Sequence, residues 1–266
     1  MFILIMLACV ALALAVLRWL KRDYIKKVST SGYLADPPAG ISAWFARRYC
    51  QALVGWQVGK VTVIGAENLN TPSAKLIVAN HGHFIDPILF PVILDVLPRT
   101  MAAQALFQAA GGLVSLLAAP GGAFAVDLTK GKGGEAADAA VKVLTTGQTL
   151  VIFPEGWAWL DGHVEQFRKG AVRIGRRAAA ELGQPCYYVP SYIRYGRYPG
   201  KQILRLPPPL QYLILYSLAC FFRRGVTVVI GKPISTADLP ADDTVATEFL
   251  RQKVLELDPL RQTAAA

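Results

Sequence analysis

Short runs rich in apolar and β-branched residues alternate along this chain with longer segments whose apolar positions recur at helical spacing. Strands are predicted over Val61–Ile64, Leu76–Ala79, Thr100–Ala103, Ala123–Val126, Leu150–Phe153, Tyr187–Ile193, Ile203–Leu206 and Val226–Ile230. Helices are predicted over Pro87–Val96, Leu106–Leu117, Glu135–Leu144, Lys169–Leu182 and Val245–Leu257. Residues 41–57, with Trp44, Phe45 and Trp56, read as an amphipathic helix. Strands that alternate with helices imply an α/β domain with a mixed or largely parallel sheet flanked by helices. Thr236–Asp243 reads as a surface loop, and 259–266 as a frayed tail.

The strongest apolar run is the first. Phe2 to Leu17 is unbroken, and Arg18, Lys21, Arg22, Lys26 and Lys27 follow it. As a helix the run spans about 24 Å, against a hydrocarbon core of roughly 30 Å. Trp19 and Leu20 extend it, while Arg18 can snorkel to the interface. A secretory leader carries its positive charge before the apolar stretch, and here the charge comes after. The expectation is an N-terminal hydrophobic membrane-anchoring helix, with the body of the protein on the cytoplasmic face. The organisation expected is a membrane anchor with basic flank over 1–27, an amphipathic interface element over 28–59, an α/β domain over 60–258, and the tail.

Composition agrees with membrane contact: 53% of residues are hydrophobic and only 17% charged. The net charge is +10, and it is uneven. Residues 163–232 hold twelve Lys/Arg against two Glu, so the partner expected there is anionic. Nucleic acid is not expected, because zinc-finger spacing, basic-region heptads and RNP-like aromatic motifs are all missing. Lys169, Arg173, Arg176 and Arg177 share one helical face, which reads equally as an anion site or as a solvated surface. Pro207–Phe222 is a second uncharged run, either a core helix or an interfacial element. The four cysteines are scattered, with neither a disulfide framework nor a CxxC pair, which fits a reducing compartment.

Candidate chemistry centres on Asn80-His81-Gly82-His83-Phe84-Ile85-Asp86-Pro87, directly after the strand ending at Ala79. In a continuous helix His81 and Asp86 would point about 140° apart. At a strand end breaking into a helix, the chain can fold back so that Asp86 holds one nitrogen of His81. The other nitrogen is then free to act as a base. Asp86-Pro87 also has the form of a helix start. Two other readings stay open: a plain strand-to-helix connection with surface histidines, and a metal site of His81, His83 and Asp86.

A second constellation follows at Leu150–Gly156, where an apolar strand ends in Phe153-Pro154-Glu155-Gly156, and continues to Phe167-Arg168-Lys169-Gly170-Ala171. Together the two blocks resemble those of the glycerolipid acyltransferases, the 1-acylglycerol-3-phosphate acyltransferase-like group. The signature Asn-His-x-x-x-x-Asp is matched by Asn80, His81 and Asp86. Phe-Pro-Glu-Gly is matched in full, and Phe-x-x-Gly-Ala by Phe167, Gly170 and Ala171. The resemblance covers roughly residues 60–235.

It implies a glycerolipid-acyltransferase-like fold and transfer of a fatty acyl group from acyl-CoA or acyl carrier protein to a lysolipid hydroxyl. It implies no metal and no other cofactor. His81 is then the general base and Asp86 its orienting partner. Phe124, Lys130, Phe153, Pro154, Glu155, Gly156, Arg168 and Lys169 are the expected substrate-binding residues, and backbone N–H groups at the Gly82 or Gly156 turns the expected oxyanion donors. The expected partners are membrane phospholipids, the acyl donor and the lysolipid acceptor. The chain departs from the family pattern where it has Asp127 and Trp157-Ala158 in place of arginine and threonine-arginine. Those arginines are associated with the acceptor's phosphate, so the alternatives are the same chemistry on a phosphate-free lysolipid acceptor, or a non-catalytic lipid-binding relative. Lys130, Lys132, Arg168 and Lys169 are the compensating cations available.

Overall fold

Eight strands form one sheet in the computed structural model, which describes residues 11–19, 21–36, 39–94, 96–112, 114–127, 134–207, 210–211, 214 and 224–260. The strands are β1 Val61–Ile64, β2 Lys75–Ala79, β3 Arg99–Ala103, β4 Ala123–Val126, β5 Leu150–Ile152, β6 Tyr187–Tyr195, β7 Val226–Ile230 and β8 Ile234–Ser235. Their order is β1-β7-β6-β2-β5-β3-β4, with β8 paired to the start of β6. β6, β2, β5, β3 and β4 run parallel; β7 is antiparallel to β6 and carries β1 parallel to itself. The helices are α1 Arg22–Val28, α2 Gly40–Gln57, α3 Asp86–Ile93, α4 Gln104–Gln108, α5 Ser115–Ala118, α6 Gly134–Thr145, α7 Gly170–Leu182 and α8 Asp243–Leu255. Residues 11–19 are also helical and exposed.

The two-residue period of the strands sorts the core onto two faces. Leu76 and Val78 point with Tyr188 and Tyr192 toward α6, α7 and α8, while Ile77 and Ala79 point with Val189 and Ile193 toward α2 and α3. β2 is buried on both faces, as the central strand of a parallel sheet must be. Gly175 permits the close approach of α7: a Cβ there would lie 2.2 Å from the Tyr188 hydroxyl, which donates to Val172 O at 2.7 Å.

The chain leaves β2 for α3 on one face and β5 for α7 on the other. Adjacent parallel strands whose connections part in this way open a crevice at their carboxyl ends. Both sequence blocks lie at that crevice.

The mixed sheet flanked by helices agrees with the sequence expectation, with local corrections. Ile203–Leu206 is not a strand: Lys201–Arg205 is a 3-10 turn whose Ile203 and Leu204 pack on Ala158 and Leu160. The helix expected over Leu106–Leu117 ends at Gln108, where Ala109 turns extended, and helix resumes at Ser115 after Gly111 and Gly112 take φ +67° and +89°. Phe153 falls outside β5 because Pro154 follows and brings no N–H to the ladder. No helix among the described residues is long and apolar enough to cross a membrane. Most of the Phe2–Leu17 run, most of Pro207–Phe222, residues 261–266, Lys130 and Lys132 lie outside the described residues.

Candidate active site

His81 is the second residue beyond β2, and its Nδ1 lies 2.9 Å from Asp86 Oδ2. The fold-back comes from a turn: Asp86 N–H donates to His83 O at 3.0 Å, and His83 N–H donates to Asp86 Oδ2 at 2.8 Å. Asp86 is not the helix cap its Asp-Pro sequence suggested. Ile85 occupies the N-cap position, Asp86 begins α3, and its carboxylate turns back to the loop. The Tyr195 hydroxyl donates to Asp86 Oδ1. Burial first, and then the nearby Asp86, push the Tyr195 phenol well above its usual range, so it stays a donor.

A carboxylate that accepts two other hydrogen bonds has its lone pairs directed at donors, so His81 presents Nδ1–H to it. The opposite nitrogen, Nε2, is left as the basic one. The His81 side chain is 15% exposed and that of Asp86 fully buried, so the base reaches the crevice while its partner does not.

Glu155 holds the His81 backbone. Its Oε1 accepts from His81 N–H at 2.7 Å and its Oε2 from Glu165 N–H at 3.0 Å. Burial pushes the Glu155 carboxyl up to about 8, against those two donors, which favour the charged form. Trp159 N–H donates to His81 O at 3.1 Å, so both polar groups of the His81 main chain are held by the segment after β5. Phe153 stacks on the imidazole with centroids 4.5 Å apart. Asn80, the first residue of the block, serves the sheet: its side chain exchanges two hydrogen bonds with the Ile193 backbone, at 2.7 and 3.0 Å.

The structure therefore brings His81, Asp86, Phe153, Pro154, Glu155 and Gly156 together. Arg168 joins them: its N–H donates to Pro154 O at 2.9 Å, and its guanidinium packs on Gly156, where a Cβ would sit 2.9 Å from Cζ. Gly156 takes φ +74° and its N–H donates to Phe153 O within the turn, so this expected oxyanion donor is already engaged. Lys169 is exposed at the start of α7, its charge acting on Asp242. Phe124 is 1% exposed, packed in the core beneath α6 and α7, and is a core residue rather than a surface for substrate. The cationic face of α7 is largely engaged in packing: Arg173 and Arg176 pair with Asp243, and Arg177 with Asp138.

His83 is a structural imidazole. Its Nδ1 accepts from Ile85 N–H at 3.1 Å, and burial lowers it to about 4. No group of three His, Cys, Asp or Glu among the described residues is placed to hold a metal ion. Tyr195 and the Glu155-to-His81 bond were not foreseen from the sequence. Tyr195 lies more than a hundred residues from Asp86, and only the β2–β6 pairing brings it there.

A buried carboxylate holding a partly exposed imidazole at the switch point of an α/β sheet is an arrangement able to act as a general base. The acyltransferase family model matches residues 60–194, and the chain belongs to that family. It is similar to the 1-acyl-sn-glycerol-3-phosphate acyltransferase of Borreliella burgdorferi, at 26% identity over 137 residues. That match covers 51% of this chain and 54% of the relative, so it spans about half the length of the relative. The fold is similar to the crystal structure of the 1-acyl-sn-glycerophosphate (LPA) acyltransferase of Thermotoga maritima. The TM-score is 0.55 at 21% identity, covering 83% of this chain and 78% of that one.

Proposed function

We propose that the protein is a membrane-associated O-acyltransferase that moves a fatty acyl group from acyl-CoA or acyl carrier protein to the hydroxyl of a lysophospholipid such as 1-acylglycerol 3-phosphate. The observation that carries this reading is the 2.9 Å contact between His81 Nδ1 and Asp86 Oδ2. His81 Nε2 takes the proton of the acceptor hydroxyl as its oxygen attacks the thioester carbonyl. The imidazolium formed is stabilised by Asp86 and then returns the proton to the departing thiolate. The hydroxyl attacks directly, so no acyl-enzyme is formed. The test is acyl transfer by the wild type and His81→Ala on vesicles containing the lysolipid: full activity in the variant would overturn the proposal.

Membrane association is supported by α2, which exposes Ile41, Trp44, Phe45, Tyr49 and Trp56 beside Arg48. The cations after the first apolar run place the catalytic domain on the cytoplasmic face in this reading. A second reading keeps the chemistry and changes the acceptor to a lysolipid without a phosphomonoester. It is favoured by the segment after Gly156, where Trp157 is exposed, Ala158 is buried on Leu160, and Trp159 holds a buried indole N–H with no partner among the described residues. Trp157, Ala158 and Trp159 bring no cation to this segment, so it offers a phosphate dianion no counter-charge.

A further inference from the structure

Beyond β6, on the side away from β5, the sheet end that carries His81 opens into a second concavity. Here β6 ends and β7 and β1, parallel to each other and antiparallel to β6, begin, so the carboxyl end of β6 meets the amino ends of its neighbours. Gly196 N–H donates to Gly225 O at 3.0 Å and Val226 N–H to Lys60 O at 3.0 Å, which fixes the three chain segments side by side. The cleft between them has a volume of about 500 Å³ and is lined by Lys60, Thr62, Arg194, Arg224 and Thr227, with Tyr195.

Three cations face this cleft, and one carboxylate offsets them: Arg194 pairs with Asp258 at 3.2 Å. Lys60 and Arg224 are exposed and carry no ion pair among the described residues. Two threonine hydroxyls stand with them. Guanidinium, ammonium and hydroxyl donors without a matching supply of acceptors are the chemistry of a phosphate site. The cleft borders the strand that supports the His81–Asp86 pair: Arg194 lines it from one face of β6, while the next residue, Tyr195, reaches Asp86 from the other.

Distance decides which phosphate. β7 and β1 lie two and three strand spacings from β2, on the order of 10–14 Å. An acceptor phosphate, separated from the attacking hydroxyl by only a glycerol backbone, cannot reach that far while the hydroxyl sits on His81. The nucleotide end of coenzyme A, carried on its pantetheine arm, can.

We infer that the Lys60–Arg194–Arg224 cleft is the subsite for the nucleotide phosphates of a coenzyme A thioester. This rests on the acyl-transfer reading for its purpose but not for its detection, since binding is measured without turnover. The test is calorimetric titration of the full chain with coenzyme A and with 3′-dephospho-coenzyme A, for the wild type, Lys60→Gln/Arg224→Gln and His81→Ala. Circular dichroism confirms the fold of each variant. Removing two phosphate-facing cations is expected to weaken coenzyme A binding about tenfold or more, and to raise KM for acyl-CoA similarly, with KM for the lysolipid changed less than about twofold. His81→Ala is expected to bind coenzyme A like the wild type.

Unchanged coenzyme A affinity in the double variant overturns the inference. So does a rise confined to the lysolipid KM, which assigns the cleft to the acceptor, or one confined to acyl carrier protein, which assigns it to an acidic protein surface. Coenzyme A binding that depends on Lys60 and Arg224 in a protein that transfers no acyl group upholds the subsite and rejects the proposed reaction.

Discussion

Tyr195 donates its hydroxyl proton to Asp86 Oδ1, tying the end of β6 to the carboxylate that aims His81. The phenol is buried and sits against the His83 ring, with centroids 5.3 Å apart. The Asp86 carboxylate is thus held from three directions, by an imidazole, a main-chain N–H and a phenol.

Tyr195→Phe keeps the ring and removes one of those three donors. It is expected to lower acyl-transfer kcat/KM by about tenfold and stability by about 1 kcal/mol. Steady-state kinetics and urea unfolding measure the two, and unchanged kinetics would show that Asp86 needs no help from β6.

Asp86→Asn is more severe. An amide can accept at one atom only, yet His81 Nδ1–H, His83 N–H and the Tyr195 hydroxyl all donate here. Loss of about 10³-fold in kcat is expected from the misdirected imidazole, with a folded protein by circular dichroism.

Glu155→Ala strands two N–H donors, those of His81 and Glu165. A stability loss of about 2–4 kcal/mol is expected from the unmade bonds, accompanied by reduced activity as the His81 main chain loses its support. Thermal unfolding beside an activity assay separates a mobile base from a simply less stable fold.

His83 supplies a pH signature. Its folded value of about 4 lies below the ordinary 6.5, so the unfolded chain binds the extra proton first. The stability from neutral His83 is therefore present above pH 6.5 and is lost as the pH falls through about 4. The loss amounts to about 3 kcal/mol. Unfolding free energies at pH 7 and pH 4 should differ more in the wild type than in His83→Asn, which keeps an acceptor for Ile85 N–H but does not titrate. Equal pH dependence in the two proteins contradicts this account.

The exposed pair Trp44 and Phe45 stack edge to face at 4.9 Å on α2. Trp44→Ser/Phe45→Ser is expected to reduce co-sedimentation with anionic vesicles about tenfold, since two aromatic side chains no longer enter the interface. Unaltered sedimentation would remove α2 from the membrane reading.

Much of this was legible before any coordinates, because it is written in local pattern. The runs at Leu76–Ala79 and Leu150–Phe153 announced β2 and β5, and the two blocks behind them meet at one sheet end. What stayed hidden depends on pairing across long separations. Nothing near Tyr195 marks it as a partner of Asp86, and Glu155 reads as an ordinary turn residue until β2 and β5 are neighbours. Phe124 looked like a substrate contact by its place in a motif; strand parity instead turns it into the core. Likewise the Asp86-Pro87 cap was a sound local expectation that lost to a stronger tertiary demand on the same carboxylate.

The two grips on the His81 peptide, from Glu155 beneath and Trp159 above, make the imidazole and the start of the loop after β5 one mechanical unit. The unit runs on to Glu165, whose N–H the second Glu155 oxygen accepts, and is backed by the buried Leu160 and Val164. A change of loop shape anywhere between Glu155 and Glu165 is therefore transmitted to the peptide that carries the imidazole.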